Sequence, residues 1–331
     1  MGKYNVYIDS TLNSTKQAQV INALSQAINN GSYVVGDTLP SVNQLSNELN
    51  ISRDTVFKAY SELRRRGLIQ STPAKEYRVA DSNNKVFMFL DSYSPFKDVL
   101  YNSFIENLPE NYQVDLGFHH YNFRVFETVI LDSIGKYNVY IVMNFNNEKI
   151  ADVLRKIDPN KLLILDWGDF KAESYAYVCQ NFGEQAYYCF RDAEPAFRKY
   201  QQLNYVYPKG SVHPKITLEY FESFCREANM PCNKIEKINE PAIQPGHAYL
   251  IFRQKDLVQI LQYARSKKLS IGSEIGIIAY NDTPLYEVID QGITSISTDF
   301  GLMGQQAASF VKSKEKVRQI IPTKLIMRNS L

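Results

Sequence analysis

The sequence predicts an α/β protein in two parts: a small helical N-terminal unit, and a larger region of parallel sheets covered by helices on both faces. Three observations predict it. In the first eighty residues apolar side chains recur at helical spacing, each run opened by a hydroxyl residue suited to cap a helix. Beyond them, short apolar runs alternate with helix-length segments, the rhythm of strand, helix and strand in a three-layer α/β/α arrangement. The 331 residues exceed one average domain and suit two, at roughly 100–200 residues each.

A first helix is expected over residues 15–29, where Val20, Ile21, Leu24, Ala27 and Ile28 share a face and Ser14 precedes Gln17 in capping-box order. Gly31 ends it. Ser41 with Gln44 opens a second helix carrying Val42, Leu45 and Leu49, and Ser52 opens a third carrying Val56, Phe57, Tyr60 and Leu63, closed by Gly67. The turn around Asn50 and Ile51 is too short for a hairpin of antiparallel helices and suits the angled crossing of a helix-turn-helix. Residues 68–79, with Pro73 and the alternating Tyr77 and Val79, read as a two-stranded wing. Residues 1–80 hold nine Lys or Arg against six Asp or Glu, whereas the remainder holds 28 against 29. The basic excess, with its run Arg64, Arg65 and Arg66, therefore belongs to the head. A basic helix end is equally what the helix dipole favours on a solvated face, so charge alone does not identify a nucleic-acid partner.

The stretch GSYVVGDTLPSVNQLSNELNISRDTVFKAYSELRRRGLI, beginning at Gly31, resembles the signature of GntR-family winged helix-turn-helix domains. Its G-x-x-x-x-G-x-x-LPS part leads into a short helix, and its S-R-x-T-V-x-x-A part forms the recognition helix. The resemblance covers about sixty residues and implies operator DNA as a partner. It places Ser52 and Arg53 at the N-terminus of the recognition helix, where backbone N–H groups favour a phosphate, and turns Thr55 to the major groove. Arg53 is the leading contact, bidentate to guanine and worth roughly 1–3 kcal/mol of discrimination, or else clamped on a phosphate without sequence information. Ser41 and Asn43 belong to the LPS stretch, and Lys58, Arg64, Arg65 and Lys75 are candidates for the backbone. Two departures limit base readout: Asn43 stands where many members carry Arg, and Pro73, Ala74, Lys75 and Glu76 replace a Gly-x-Gly-Thr wing tip.

Polar residues 81–85 precede a solid apolar run and read as the linker between a head over residues 1–80 and an effector-binding and dimerisation domain over residues 86–331. Strands are expected over residues 86–90, 137–143, 161–165, 203–207, 248–252 and 276–280, and ligands of such sheets collect beyond the carboxyl ends of the strands. The region resembles the sugar-binding domain of LacI-type repressors and periplasmic binding proteins through SIGSEIGIIAYND, GITSIS, DFGLMGQQAASF and the closing IPTKLIMRNS. This implies a periplasmic-binding-protein-like domain of two subdomains with a cleft between them. Asn281 occupies the place where the family commonly binds sugar hydroxyls with Asp, and its amide both donates and accepts. Asp282 follows it. Asp91, Ser92 and Tyr93 follow the first strand, Asn144 another, and Trp167 with Asp169 a third; Lys215 is the cation nearest the family's ligand-binding Arg. Trp167 suits stacking on a sugar ring, though burial in a core is the commoner fate of Trp.

Catalysis finds no support. No phosphate-cradling glycine loop follows a strand, no His-Glu-x-x-His occurs, the Ser of GSEIG is misplaced for a nucleophile elbow, and the adjacent His119 and His120 diverge. No metal or cofactor is expected. Cys179, Cys189, Cys225 and Cys232 lack a CxxC spacing and read as buried free thiols. No apolar run approaches the ~20 residues of a membrane span and no secretory signal opens the chain, so a cytoplasmic protein is expected. The expected function is a homodimeric transcription regulator, in the sense of a repressor of carbohydrate use, with a monosaccharide effector such as a pentose or deoxyhexose (arabinose or fucose). Two alternatives stay open: a body used only for dimerisation or for a non-sugar ligand, and a sugar-modifying enzyme with a regulatory head.

Overall fold

The computed structural model describes the chain except residues 1–6, 10–13, 30, 66–67, 72–75, 81–84, 111, 168–174 and 314. The head contains α1 (Lys16–Asn29), α2 (Val42–Leu49) and α3 (Arg53–Arg65), followed by the antiparallel pair β1 (Ile69–Ser71) and β2 (Tyr77–Val79). Gly31 follows α1 at φ +80°, a conformation that a side chain resists. Ser41 caps α2 by accepting from the Gln44 amide at 3.1 Å. Asn50 then takes the left-handed conformation at the end of α2, and the buried Ser46 hydroxyl donates to the Ile51 carbonyl at 2.7 Å, which fixes the tight turn into α3. Val20, Leu24, Leu45, Val56, Tyr60, Leu63 and Val79 form one core, and Tyr60 meets Tyr77 edge to face at 4.7 Å, tying α3 to β2. Phe57 departs from expectation. It is 53% exposed, because Val56, Tyr60 and Leu63 define the buried stripe and Phe57 lies one helical step round from it.

After the head the chain runs through β3 (Lys85–Leu90), α4 (Pro95–Glu106), β4 (Gln113–Phe118), α5 (Phe123–Ser133), β5 (Val139–Met143), α6 (Ile150–Leu154), β6 (Leu162–Asp166) and β7 (Ala176–Gln180). It continues with α7 (Glu184–Phe197), β8 (Gln202–Val206), α8 (Ile216–Glu227), β9 (Cys232–Ile235), β10 (His247–Ile251), α9 (Gln254–Lys267), β11 (Ile275–Tyr280), β12 (Thr294–Thr298), α10 (Phe300–Ser313), β13 (Arg318–Ile321) and β14 (Thr323–Ile326). Two six-stranded sheets result, ordered β13-β7-β6-β5-β3-β4 and β14-β12-β11-β10-β8-β9, parallel throughout except that β14 runs against β12. Each anticipated run coincides with a strand. Strands β4, β7, β9, β12, β13 and β14 were not among the anticipated runs: β4 reads QVDLGF with a half-exposed surface and β9 reads CNKI almost fully exposed, as edge strands do, so neither of these two carries an apolar run. Cys232 on that edge is exposed, unlike the other three cysteines, which corrects the expectation of four buried thiols.

Each sheet is buried on both faces. Val86, Met88 and Leu90 pack under α4 and α10, while Phe87 and Phe89 point the other way, to Phe126 of α5 and Leu154 of α6. In the second sheet, Tyr205, Leu250 and Ile278 meet Phe190 of α7 and Phe221 of α8, and Tyr249 and Ile277 meet Leu257 and Ile260 of α9. The chain passes between the two halves three times: from β7 to α7, from β12 to α10, and from β13 to β14 across the single residue Pro322. Hydrogen bonds join these crossings. The Thr298 hydroxyl reaches the Ile321 and Pro322 carbonyls at 3.3 Å each, and the Thr323 amide donates to the Gln185 side chain at 2.8 Å.

Helix α10 returns to the first sheet by pressing Gly304 against α4, where an added Cβ would lie 2.4 Å from the Leu100 carbonyl oxygen and 2.9 Å from the Phe104 nitrogen. Backbone atoms of a helix cannot yield as a flexible side chain can. Gly304→Ala is therefore expected to lower unfolding free energy by about 1–3 kcal/mol, the scale of overpacking. Urea denaturation at constant m-value checks this, and an unchanged midpoint would contradict the contact.

Candidate functional site

Two surfaces collect the candidate residues. On the head, Ser52 begins α3: its hydroxyl accepts from the Thr55 amide at 3.1 Å and shares a 2.7 Å hydrogen bond with the Thr55 hydroxyl. The Thr55 hydroxyl is thereby engaged within the helix start. Arg53 and Arg64 are exposed on α3, as are Ser41 and Asn43 at the start of α2. Lys58 is paired with Asp54 at 2.7 Å, both well exposed, so its charge is partly neutralised before any partner arrives. The Arg65 side chain and Lys75 lie outside the described residues.

The second surface is the cleft at the carboxyl ends of the strands. Asp91 follows β3, and both of its carboxylate oxygens are engaged: one by the buried Lys97 ammonium and the Ser92 amide, the other by the Tyr121 hydroxyl at 2.6 Å. Asp91, expected among the effector-binding residues, is thus already engaged by the chain, because α4 delivers a counter-ion that the spacing after β3 did not reveal. Ser92 sits beside it, with its hydroxyl 3.5 Å from Lys97 Nζ, and Tyr93 turns outward at 68% exposure. Asp282 is likewise taken. Arg328 holds it in a bidentate pair at 2.7 and 2.9 Å, and Ser295 donates to it at 2.7 Å, so its carboxylate anchors the chain end to β11 and β12. Lys215 stands exposed just before α8, and Asp169 lies outside the described residues.

Asn281 and Asn144 stand differently. Among the described residues the side-chain oxygen of each is buried and has no hydrogen-bond partner, a condition that also holds for Gln180 Oε1 and the Tyr280 hydroxyl. Asn281 adopts φ +68° directly after β11, and Asp166 adopts φ +69° at the end of β6, the matching position of the other half. Such left-handed geometry in residues other than glycine costs energy and aims the side chain off the strand. The halves face each other here: Trp167, carried by the first half, packs against the core of the second, and the charge of Asp166 acts across to raise the Tyr280 phenol, whose own burial is the larger cause.

Sequence reasoning overlooked several residues that crowd this cleft. Asp166 is pushed up to about 6 by burial first and then by the charge of Asp91, against the opposing hydrogen bond from the Gln180 amide at 2.5 Å. It lay one residue past the anticipated strand end. The buried His119 donates from Nε2 to the Met143 carbonyl at 3.0 Å and accepts at Nδ1 from the Tyr121 amide at 3.2 Å, a pairing that assigns the neutral tautomer. Burial lowers it to about 4. His213 is enclosed by Phe252 at 4.1 Å and Tyr280 at 4.6 Å between ring centroids, and burial lowers it to about 3. Its Nε2 lies 2.9 Å from the Thr217 hydroxyl, which donates onward to the Phe182 carbonyl at 2.7 Å. The strand ends thus carry unpartnered polar atoms among the described residues, one of them on Tyr280, whose ring packs against His213 and Phe252. Among the described residues no cluster of His, Cys, Asp and Glu could hold a metal ion, and no helix is long and apolar enough to cross a membrane.

Residues 16–79 match the family described as bacterial regulatory proteins, gntR family, and residues 194–331 match the periplasmic binding protein-like domain. Both are families of regulators and binding proteins, not of enzymes. Over 70 residues the chain is 34% identical to an uncharacterized HTH-type transcriptional regulator, YcxD, of Bacillus subtilis (strain 168), a match covering 21% of this chain and 16% of that protein. Among solved structures, the trehalose repressor from Escherichia coli superposes with a TM-score of 0.62 at 14% identity, covering 74% of this chain and 100% of the other. A LacI family transcriptional regulator from Lactobacillus casei, solved with bound sucrose, gives a TM-score of 0.63 at 14% identity over 75% of this chain and 100% of its own. At such identity the likeness is one of fold: two parallel-sheet subdomains linked by three crossings.

The buried histidines and Asp166 act oppositely on stability. A histidine held near 3 or 4 when folded, against about 6.5 when unfolded, binds fewer protons folded, so stability falls as pH drops below about 6.5. Asp166, raised when folded, binds more protons folded between about 4 and 6, so its contribution falls as pH rises through that window. With these two histidines and His247, which burial also lowers, against one raised carboxylate, the melting temperature is expected to fall on acidification from pH 7 to 5. His213→Gln should flatten that fall, and Asp166→Asn should steepen it while raising stability at pH 7; parallel pH profiles in calorimetry would refute the assignment. Separately, Arg328→Ala strands the half-buried Asp282 carboxylate and should cost about 3 kcal/mol in chemical denaturation.

Proposed function

Starting from a DNA-binding transcription regulator with a gntR-type head and a periplasmic-binding-protein-like body, we propose a repressor of a carbohydrate-utilisation operon whose operator affinity is set by a monosaccharide held in the cleft. The division proposed is a head over residues 1–80, a linker over residues 81–85 whose last residue, Lys85, already opens β3, and an effector-binding and dimerisation body over residues 86–331. The observation that carries the sugar reading is the set of buried side-chain oxygens on Asn144, Gln180, Tyr280 and Asn281 without partners among the described residues, with Tyr280 packed against the rings of His213 and Phe252. A hydroxylated ring supplies donors to those oxygens and an apolar C–H face to those rings. The trehalose repressor and the regulator solved with bound sucrose, sugar proteins by name, support a carbohydrate ligand. A pentose or deoxyhexose such as arabinose or fucose is the proposed member. Asn281 is its leading ligand, with Asn144 and Trp167; Asp91 and Asp282 leave the contact set because the chain already engages them.

A cytoplasmic homodimer would present two recognition helices to a pseudo-palindromic operator, and closure of the cleft would alter their spacing. Coupling of roughly 1–3 kcal/mol changes operator affinity about 5- to 150-fold, with the same factor acting on sugar affinity. In fluorescence anisotropy with DNA from upstream of the protein's own gene, one monosaccharide of a panel is expected to shift affinity within that range. Tight binding indifferent to every sugar would sink the effector reading while leaving the regulator. Arg53→Ala should weaken operator binding about tenfold or more with an unchanged melting temperature. Operator affinity that survives this change would remove Arg53 from the interface.

A further inference from the structure

We infer that Phe57 reads thymine in the operator, laying its exposed ring against the C5 methyl group in the major groove, an inference that rests on the DNA-binding reading above. Phe57 is 53% exposed although the core of the head lies one helical step away. It stands on a stripe of α3 that runs from Arg53 through Phe57 to Arg64, at spacings of four and seven residues, all three exposed. The opposite stripe, Val56, Ala59, Tyr60 and Leu63, is buried. An apolar ring is thus held between two guanidinium groups on the solvent face of the helix. The neighbouring Asp54 carboxylate is paired with Lys58 at 2.7 Å, which lessens its repulsion of a phosphate.

Duplex DNA has the complementary pattern. Phosphates flank a major groove in which the thymine methyl is the one apolar group on the base edges, and phenylalanine is among the side chains that contact it. The two arginines would meet phosphates or guanine on either side, and the ring would meet a methyl between them. A ring against a methyl gains by burial of apolar surface and makes no hydrogen bond, so its readout is insensitive to base-edge donors and sensitive to the methyl alone.

The test uses the full-length protein and duplexes enriched from a random double-stranded library, with deoxyuridine then placed singly at each enriched thymidine. Burial of one methyl-sized group, converted at the usual scale, predicts about fourfold weaker binding at one thymine per half-site, and roughly fifteenfold when both half-sites are changed. Phe57→Ala should bind the thymine duplex as weakly as the unaltered protein binds the uracil duplex, and should lose its sensitivity to uracil. Phe57→Leu, which keeps an apolar tip, should retain part of the discrimination. Wild-type affinity indifferent to uracil at every position, or a Phe57→Ala variant equally sensitive to it, overturns the inference. A change in oligomeric state in Phe57→Ala would assign the ring to a protein contact and also overturn it. If no sequence is enriched over a scrambled duplex, the operator-binding reading fails and takes the inference with it; an enriched site with no methyl dependence defeats Phe57 alone.

Discussion

Three crossings of the chain at one edge of the two sheets set the behaviour of the body. Each half has its own core, covered by helices on both faces, yet neither is a continuous stretch of sequence, because α10 and β13 return to the first half and β14 goes back to the second. The crossings are bonded to one another through Thr298, Ile321, Pro322, Thr323 and Gln185. The two halves are thereby tied together at one place, where the crossings lie side by side. Close packing within each half, as at Gly304, discourages deformation elsewhere.

The chemistry of the cleft follows from the strands ending there. Charged groups are mostly satisfied by the chain itself, Asp91 by Lys97 and Tyr121, and Asp282 by Arg328. Burial keeps His119 and His213 neutral and pushes Asp166 toward neutrality. What is left without a partner among the described residues is neutral hydrogen-bonding capacity on Asn144, Gln180, Tyr280 and Asn281. A surface of that kind selects shape and hydroxyl pattern over charge, since unpaired charge is what a buried site can least tolerate. In the head the balance is reversed: exposed arginines present charge to solvent, and Phe57 supplies the apolar exception.

Much of this architecture was legible in the residues themselves. The caps at Ser41 and Ser52, the apolar period of α1 to α3 and the runs that became β3, β5, β6, β8, β10 and β11 depend on neighbours a few residues away, and local physics suffices to read them. The exposed edges β4 and β9 escaped notice because a strand needs an apolar run only where both faces are covered. Phe57 was counted with the core because an apolar residue announces its chemistry in sequence but not its direction when the helical stripe passes beside it.

By itself the sequence determined the two-part organisation, the helix-turn-helix with its capped recognition helix, the parallel α/β body and the candidacy of Asn281 and Asn144. Only the tertiary structure decided which polar groups were left over. Asp91 meets Lys97 six residues on and Tyr121 thirty residues on, Asp282 meets Arg328 forty-six residues on, and His213 is enclosed by Phe252 and Tyr280 from two other segments. Whether a buried side chain is a ligand or a strut depends on who satisfies its hydrogen bonds, and those partners are chosen by the packing of distant segments rather than by spacing along the chain.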